Sequence, residues 1–163
     1  MKWSFRKPLV VFTPKSLLRH PKCVSSINDL AKGRFQEVID DAGVDKKKVK
    51  RVVFCSGKLY YDLLAAQEEG KHDTVALVRL EQLYPFPQVQ IEKLLSSYSK
   101  DVEVVWAQEE PENMGAWNFI MRKWTFGDIT SITRHESGSP ASGSMKRFQL
   151  RQKEIIESVF TYR

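Results

Sequence analysis

Apolar positions along this chain follow two different periods. Consecutive apolar runs mark buried strands at Lys50 to Cys55, Thr74 to Leu80 and Val102 to Ala107. Between them the apolar residues fall three or four apart, the spacing of one helical face. Leu59, Leu63 and Ala66 share such a face over Leu59 to Glu69, with Gly70 as a stop signal. Ile91, Leu94, Leu95 and Tyr98 form the next, after the breakers Pro85 and Pro87. Trp117, Ile120, Met121 and Trp124 make a third stripe over Ala116 to Trp124. Ser131 to Arg134 reads as a last short strand, and the Ser, Gly and Pro of Ser137 to Ser144 as a loop. A final helix carries Phe148, Ile155, Ile156, Val159 and Phe160. Strands alternating with helices predict an α/β fold of three layers: a mostly parallel sheet with helices on both faces.

The N-terminal part lacks this rhythm. Leu9 to Phe12 reads as a short strand ended by Thr13-Pro14, and Ser16 to His20 as a helical turn stopped by Pro21. Cys23 to Gly33 is polar and reads as loop, and Gly33 to Asp41 as an edge strand. With no crossover helix between these pieces, residues 1–32 read as the end of another domain and a linker. Residues 33–163 then form the α/β domain.

Composition narrows the function classes. A chain of 163 residues with 42% hydrophobic content is long enough for one α/β core. No apolar stretch approaches the roughly 20 residues that span a bilayer. The N-terminus has charge but no long apolar run, so no signal peptide is read and a cytoplasmic location is expected. Cys23 and Cys55 lack CxxC spacing and read as reduced thiols, Cys55 as a small buried hydrophobe. The net charge of +6 invites a polyanionic partner. Its one dense cluster, Asp45 to Arg51, has no interleaved aromatics and no recognition-helix pattern, and reads as a solvated turn. Nucleic acid and membrane are therefore not expected partners.

Candidate chemistry is sparse. Ser56-Gly57-Lys58 ends a strand and opens a helix, where backbone amides and an ammonium suit a phosphate or carboxylate. Neither GxxxxGK[ST] nor GxGxxG is present, so a tight strand–helix turn is the plainer reading. Glu109 and Glu110 are adjacent, and on a strand they would point to opposite faces, a poor acid–base pair; in a loop they would be freer. His20, His72 and His135 share no metal-ligand spacing, so no metal site is expected. Lys15, Ser16 and Arg19, with Lys7 and His20 nearby, form a second basic set. A solvated surface is its bland reading and a phosphate site its sharp one.

Three longer blocks occur in one order. They are Pro8-Leu9-Val10-Val11-Phe12-Thr13-Pro14-Lys15-Ser16-Leu17-Leu18-Arg19-His20-Pro21; then Arg51 to Tyr61 with Arg79 to Pro87; then Gln108-Glu109-Glu110-Pro111-Glu112-Asn113-Met114-Gly115-Ala116-Trp117. The first resembles P-L-[IV]-V-x-[ST]-P-K-S-L-L-R-H-P, the second a strand–SGK–helix–R-[IL]-EQL-x-P-[FL]-P run, and the third QEEP-x-N-x-GAW. All three are signatures of the C-terminal region of the 2-oxoglutarate dehydrogenase E1 family, and the resemblance runs from Arg6 to Phe160. It implies a fold like the transketolase C-terminal domain from Gly33 onward, with residues 1–32 closing a pyrimidine-binding domain. It implies that the chain is a C-terminal fragment of an enzyme that uses thiamine diphosphate and Mg2+. That enzyme decarboxylates 2-oxoglutarate and passes the succinyl group to the lipoyl arm of an E2 succinyltransferase.

The family holds its cofactor through a GDG motif with a downstream Asn, oxygen ligands suited to a hard cation. This chain has only Gly127-Asp128-Ile129. No catalytic residue and no cofactor are therefore expected in the fragment itself. Gln108, Glu109, Glu110, Asn113, Gly115 and Trp117 are expected at an interface with the rest of the E1 chain or a second E1 subunit. Lys15, Ser16 and Arg19, and separately Ser56, Gly57 and Lys58, are the two candidate anion sites for an acetyl-CoA or AMP effector. The competing reading is a free-standing α/β nucleotide-binding or regulatory module built on the Ser56-Gly57-Lys58 turn.

Overall fold

The structure, a computed structural model, describes residues 7–8 and 10–162. Leu9 of the expected first strand, and the tryptophan and phenylalanine at positions 3 and 5, lie outside the described residues. The chain divides into two units, Met1–Arg34 and Phe35–Arg163.

In the first unit residues 10–12 are not strand, and a single 3-10 turn spans Lys15–Leu17. The segment expected as loop contains a helix, α1, Ile27–Lys32. Its signal is a capping box: the Ser26 hydroxyl accepts from the Asp29 backbone N–H at 3.1 Å, and the Asp29 carboxylate accepts from the Ser26 N–H at 3.1 Å. The polarity that suggested a loop is the cap itself. No described residue of this unit is buried, and Ile27 and Leu30 are about four-fifths exposed, so capping alone accounts for the helix within the unit.

The second unit holds five strands in the order β1-β3-β2-β4-β5. They are β1 (Val38–Ile39), β2 (Arg51–Cys55), β3 (Val75–Leu80), β4 (Glu103–Pro111) and β5 (Thr130–Arg134). β2, β3, β4 and β5 pair in parallel, and β1 is antiparallel to β3. The helices are α2 (Leu59–Gly70), α3 (Gln88–Leu95), α4 (Trp117–Lys123) and α5 (Met145–Phe160). Side chains alternate along each buried strand, so each face receives its own core. Val52, Phe54, Val78 and Trp106 pack with Ile91 of α3 and with Trp117 and Ile120 of α4. Val53, Cys55, Leu77 and Val105 pack with Leu59 and Leu63 of α2 and with Ile155 and Val159 of α5. The expected three-layer, mostly parallel α/β architecture is what the chain forms.

Four details differ from the sequence reading. β1 is two residues long rather than running from Gly33 to Asp41. Beyond it Asp41 takes over the edge of β3, accepting from the Leu77 N–H at 3.0 Å and from the Gln67 amide at 3.1 Å. Helix α2 runs through Gly70, and Lys71 makes the left-handed turn. β4 continues to Pro111 instead of ending at Ala107, because the Pro111 end pairs with Arg134 of β5. Arg51 does not belong to a solvated turn. It is buried, pairs with Glu103 at 2.7 Å, and donates to the carbonyls of Ser158, Val159 and Thr161 at 2.6–3.1 Å. A cation there meets the free carbonyls and the negative dipole end of α5. Lys46 of the same cluster is also engaged, by Asp40, by Ser97 and by the Tyr98 ring.

Candidate functional site

The chain leaves β2 toward β3 on one side of the sheet and leaves β4 toward β5 on the other. The connections diverge at the carboxyl ends of these adjacent parallel strands, where open α/β sheets place their crevices. Two sequence candidates meet at this point, the Ser56-Gly57-Lys58 turn after β2 and the QEEP-x-N-x-GAW segment on β4.

Between Ala107 and Pro111, β4 advances four residues while β5 advances two, from Ile132 to Arg134. Gln108, Glu109 and Glu110 are therefore bulged. A bulge re-aims side chains at the end of a strand. Gln108, buried, faces α4. Its carbonyl oxygen accepts from the Trp106 indole and the Trp117 backbone N–H, both at 2.9 Å. Its amide donates to the Met114 carbonyl at 2.8 Å and to the Pro111 carbonyl at 3.1 Å. One amide thus staples the strand to the turn and to the start of α4. Gly115 makes room for it: a Cβ there would lie 3.0 Å from the Gln108 amide, and its φ of 65° disfavours other residues. Asn113 exchanges two hydrogen bonds with the backbone of Ser137, each 3.1 Å, and so ties the turn to the Ser/Gly loop. Trp117 is buried in the core.

Glu109 turns to the opposite face and binds the Lys58 ammonium at 2.7 Å, while Asp62 holds the same ammonium at 3.0 Å. Burial works to lower the Lys58 pKa, but the hydrogen bonds to Glu109 and Asp62 outweigh it and hold the pKa above the ordinary lysine value. The Asp62 carboxylate accepts from Gln152 of α5 at 3.1 Å, and the Gln152 carbonyl oxygen faces the Arg134 guanidinium at 3.4 Å. This polar strip under α5 was not anticipated. Its signal was Gln152, a polar residue inside the apolar stripe of Phe148, Ile155 and Val159.

The pairing bears on the β2–α2 turn. An ammonium free for an anion was expected at Lys58, and two carboxylates already neutralise it. Ser56 and Gly57 stay at the turn, with Gly57 at a φ of 63°. Lys15, Ser16 and Arg19 are exposed in the first unit, around the 3-10 turn.

Glu110 is exposed, and its carboxylate makes no hydrogen bond or ion pair among the described residues; its backbone carbonyl accepts from the Gln108 amide at 3.4 Å. It lines a cavity of about 360 Å³ with Ser56, Leu83, Tyr84, Trp106 and Phe119. Glu109 and Glu110 therefore do not converge, as a strand dictates. No group of three or more His, Cys, Asp or Glu side chains able to hold a metal occurs among the described residues. Asp128, of the Gly127-Asp128-Ile129 run, is exposed. Cys55 is buried, and burial pushes its thiol up to about 12, which leaves it inert.

Residues 24–160 match the model of the 2-oxoglutarate dehydrogenase C-terminal family. The chain belongs to that family. It is 46% identical over 162 residues to the 2-oxoglutarate dehydrogenase E1 component of Cupriavidus necator, covering 96% of this chain and 17% of that protein. It is 43% identical to the E1 component of Haemophilus influenzae, covering 98% of this chain and 18% of the relative. It is 45% identical to the mitochondrial 2-oxoglutarate dehydrogenase of Caenorhabditis elegans, covering 96% and 16%. The chain thus spans about a sixth of the length of these relatives. Among solved structures it is similar to a Pichia stipitis transketolase bound to a sedoheptulose phosphate. The TM-score is 0.49 at 17% identity, covering 83% of this chain and 18% of that one. No helix among the described residues is long and apolar enough to cross a membrane.

Proposed function

We propose that this chain supplies the C-terminal part of a 2-oxoglutarate dehydrogenase E1 component. The whole enzyme decarboxylates 2-oxoglutarate oxidatively and delivers the succinyl group to the lipoyl domain of an E2 succinyltransferase, a citric acid cycle step. Bound thiamine diphosphate supplies the carbanion-stabilising chemistry, held with Mg2+ by residues outside this chain. The work of these residues is to complete the E1 dimer and wall its cleft against the rest of the E1 chain and a second subunit.

The observation that carries this reading is the state of the signature segment. Gln108, Asn113 and Glu109 spend their polar groups on internal bonds, while the Glu110 and Glu112 carboxylates stay exposed. A segment built in this way presents a rigid wall and performs no proton transfer by itself. The first unit supports the same reading: exposed Val10, Val11, Phe12, Ile27 and Leu30 suit a surface covered by neighbouring polypeptide. Residues 1–32 would then close the pyrimidine-binding domain. The effector role falls on Lys15, Ser16 and Arg19, whose cations suit the phosphates of acetyl-CoA or AMP. The Ser56-Gly57-Lys58 turn is a second, independent candidate for an anion, and there Lys58 is already paired. The compartment follows the organism, cytoplasm in bacteria such as those of the first two relatives.

Calorimetric titration of the chain with thiamine diphosphate and Mg2+ tests the proposal. No saturable heat is expected. Micromolar binding, or turnover of 2-oxoglutarate by the chain alone, would overturn it.

A further inference from the structure

The cavity beside Glu110 has walls that select a ligand by charge. Its volume of about 360 Å³ falls in the range of small-molecule sites, roughly 300–1,000 Å³. Tyr84 and Phe119 supply aromatic surface, Leu83 and Ala116 aliphatic surface, and the buried Trp106 backs the cavity. Tyr84 is 81% exposed, so its ring is available to a ligand rather than committed to the core.

Polar groups are few, and most are spent. The Gln108 amide, which also lines the cavity, is consumed on both its oxygen and its nitrogen by the staple. The Ser56 hydroxyl makes no hydrogen bond among the described residues, and neither does the Glu110 carboxylate. No Lys, Arg or His lines the cavity. Lys58, although next to Ser56 and Gly57, is turned to the other face of the sheet by Glu109 and Asp62.

These facts disfavour two ligand classes and favour a third. An anion would bring its charge against Glu110 with no cation to offset it. A neutral apolar molecule would leave the exposed Glu110 carboxylate to water and gain nothing from it. A cation on an apolar body meets both requirements, because its head pairs with Glu110 while its body lies on Tyr84 and the half-buried Phe119. We propose that this cavity is a binding site for a small organic cation, an ammonium or guanidinium group carried on an aromatic or aliphatic body. The site is separate from the anion site proposed at Lys15, Ser16 and Arg19 and does not depend on it.

The test titrates the full chain by calorimetry with four probes. They are phenethylammonium, its neutral analogue phenethyl alcohol, the anion hydrocinnamate, and N-acetylarginine amide. The Trp106 indole N–H resonance reports the location, since that group borders the cavity and is held by Gln108. Phenethylammonium should bind about tenfold more tightly than the alcohol, the sum of one carboxylate pair and one cation–π contact. Hydrocinnamate should not bind. Glu110→Gln should weaken the cation about threefold, the share of the carboxylate pair, and leave the alcohol unchanged. Glu112→Gln, an exposed carboxylate lining a different groove, should leave the cation unchanged. Both positions are exposed, so both variants should fold. The proposal is overturned by an absence of saturable cation binding, by equal affinity for cation and alcohol, or by equal losses in the two variants. Saturable binding of N-acetylarginine amide that Glu110→Gln weakens would support the same site with a guanidinium head.

Discussion

Replacing Gln108 by leucine keeps the volume of the side chain nearly constant and removes every hydrogen bond of the staple. The Trp106 indole N–H, the Trp117 backbone N–H and the Met114 carbonyl lose this partner, while the Pro111 carbonyl keeps the Met114 N–H at 2.8 Å. The two donors decide the cost. Trp106 is 1% exposed and Trp117 8%, and an apolar leucine denies both any water. A buried polar group left unpaired costs about 1–3 kcal/mol, so two donors give about 2–6 kcal/mol. Gln108→Ala removes the same bonds but vacates space that a water can occupy and use to bridge the two donors. The alanine variant should therefore lose roughly half as much as the leucine variant, the reverse of the usual order for a core position. Urea unfolding with tryptophan fluorescence measures both, provided the m-values stay equal. A leucine variant as stable as the parent, or an alanine variant less stable than the leucine one, would refute the staple.

Three further outcomes are expected. Lys58→Met leaves Glu109 and Asp62 facing each other and should cost about 1–3 kcal/mol at neutral pH. Because the Lys58 pKa is raised in the folded chain, the cost should be constant below the ordinary lysine value of 10.5 and shrink as pH rises through the folded value; a cost that grows with alkalinity would contradict the pairing. In the native chain Cys23 should react with a thiol reagent at neutral pH, and Cys55, its thiol held near 12 by burial, only after unfolding; two fast thiols would refute that. Arg51→Met should speed amide exchange in the last turn of α5, while the N–H groups of β3 keep their protection; unchanged exchange would mean that the Arg51 bonds to Ser158, Val159 and Thr161 contribute nothing.

The central sheet was legible because its strands, buried on both faces, are unbroken apolar runs such as Val52 to Cys55 and Val75 to Val78. The helices on either side were legible through their stripes. Elements made by polar groups were not. The Ser26–Asp29 box makes a helix out of residues that look like loop, and Asp41 substitutes a side chain for the missing length of β1. The bulge that carries Glu109 and Glu110 depends on the register with β5, a contact distant in sequence. Charge was the weakest guide. Arg51 and Lys58 read as solvated or available cations, and tertiary partners far along the chain, Glu103, Val159 and Glu109, claim both. The signature segment was recognised as a pattern; that Gln108 and Gly115 belong to one staple needed the geometry.

The most direct test of the account is a graft. The segment of the Cupriavidus necator E1 component that matches this chain is deleted, or replaced by this chain, and turnover of 2-oxoglutarate is followed with an artificial electron acceptor. The deleted enzyme should be inactive, this chain alone inactive, and the graft active with thiamine diphosphate and Mg2+. A graft that folds and dimerises but does not turn over, or a deleted enzyme that keeps its activity, would contradict the claim that these residues complete an E1 component.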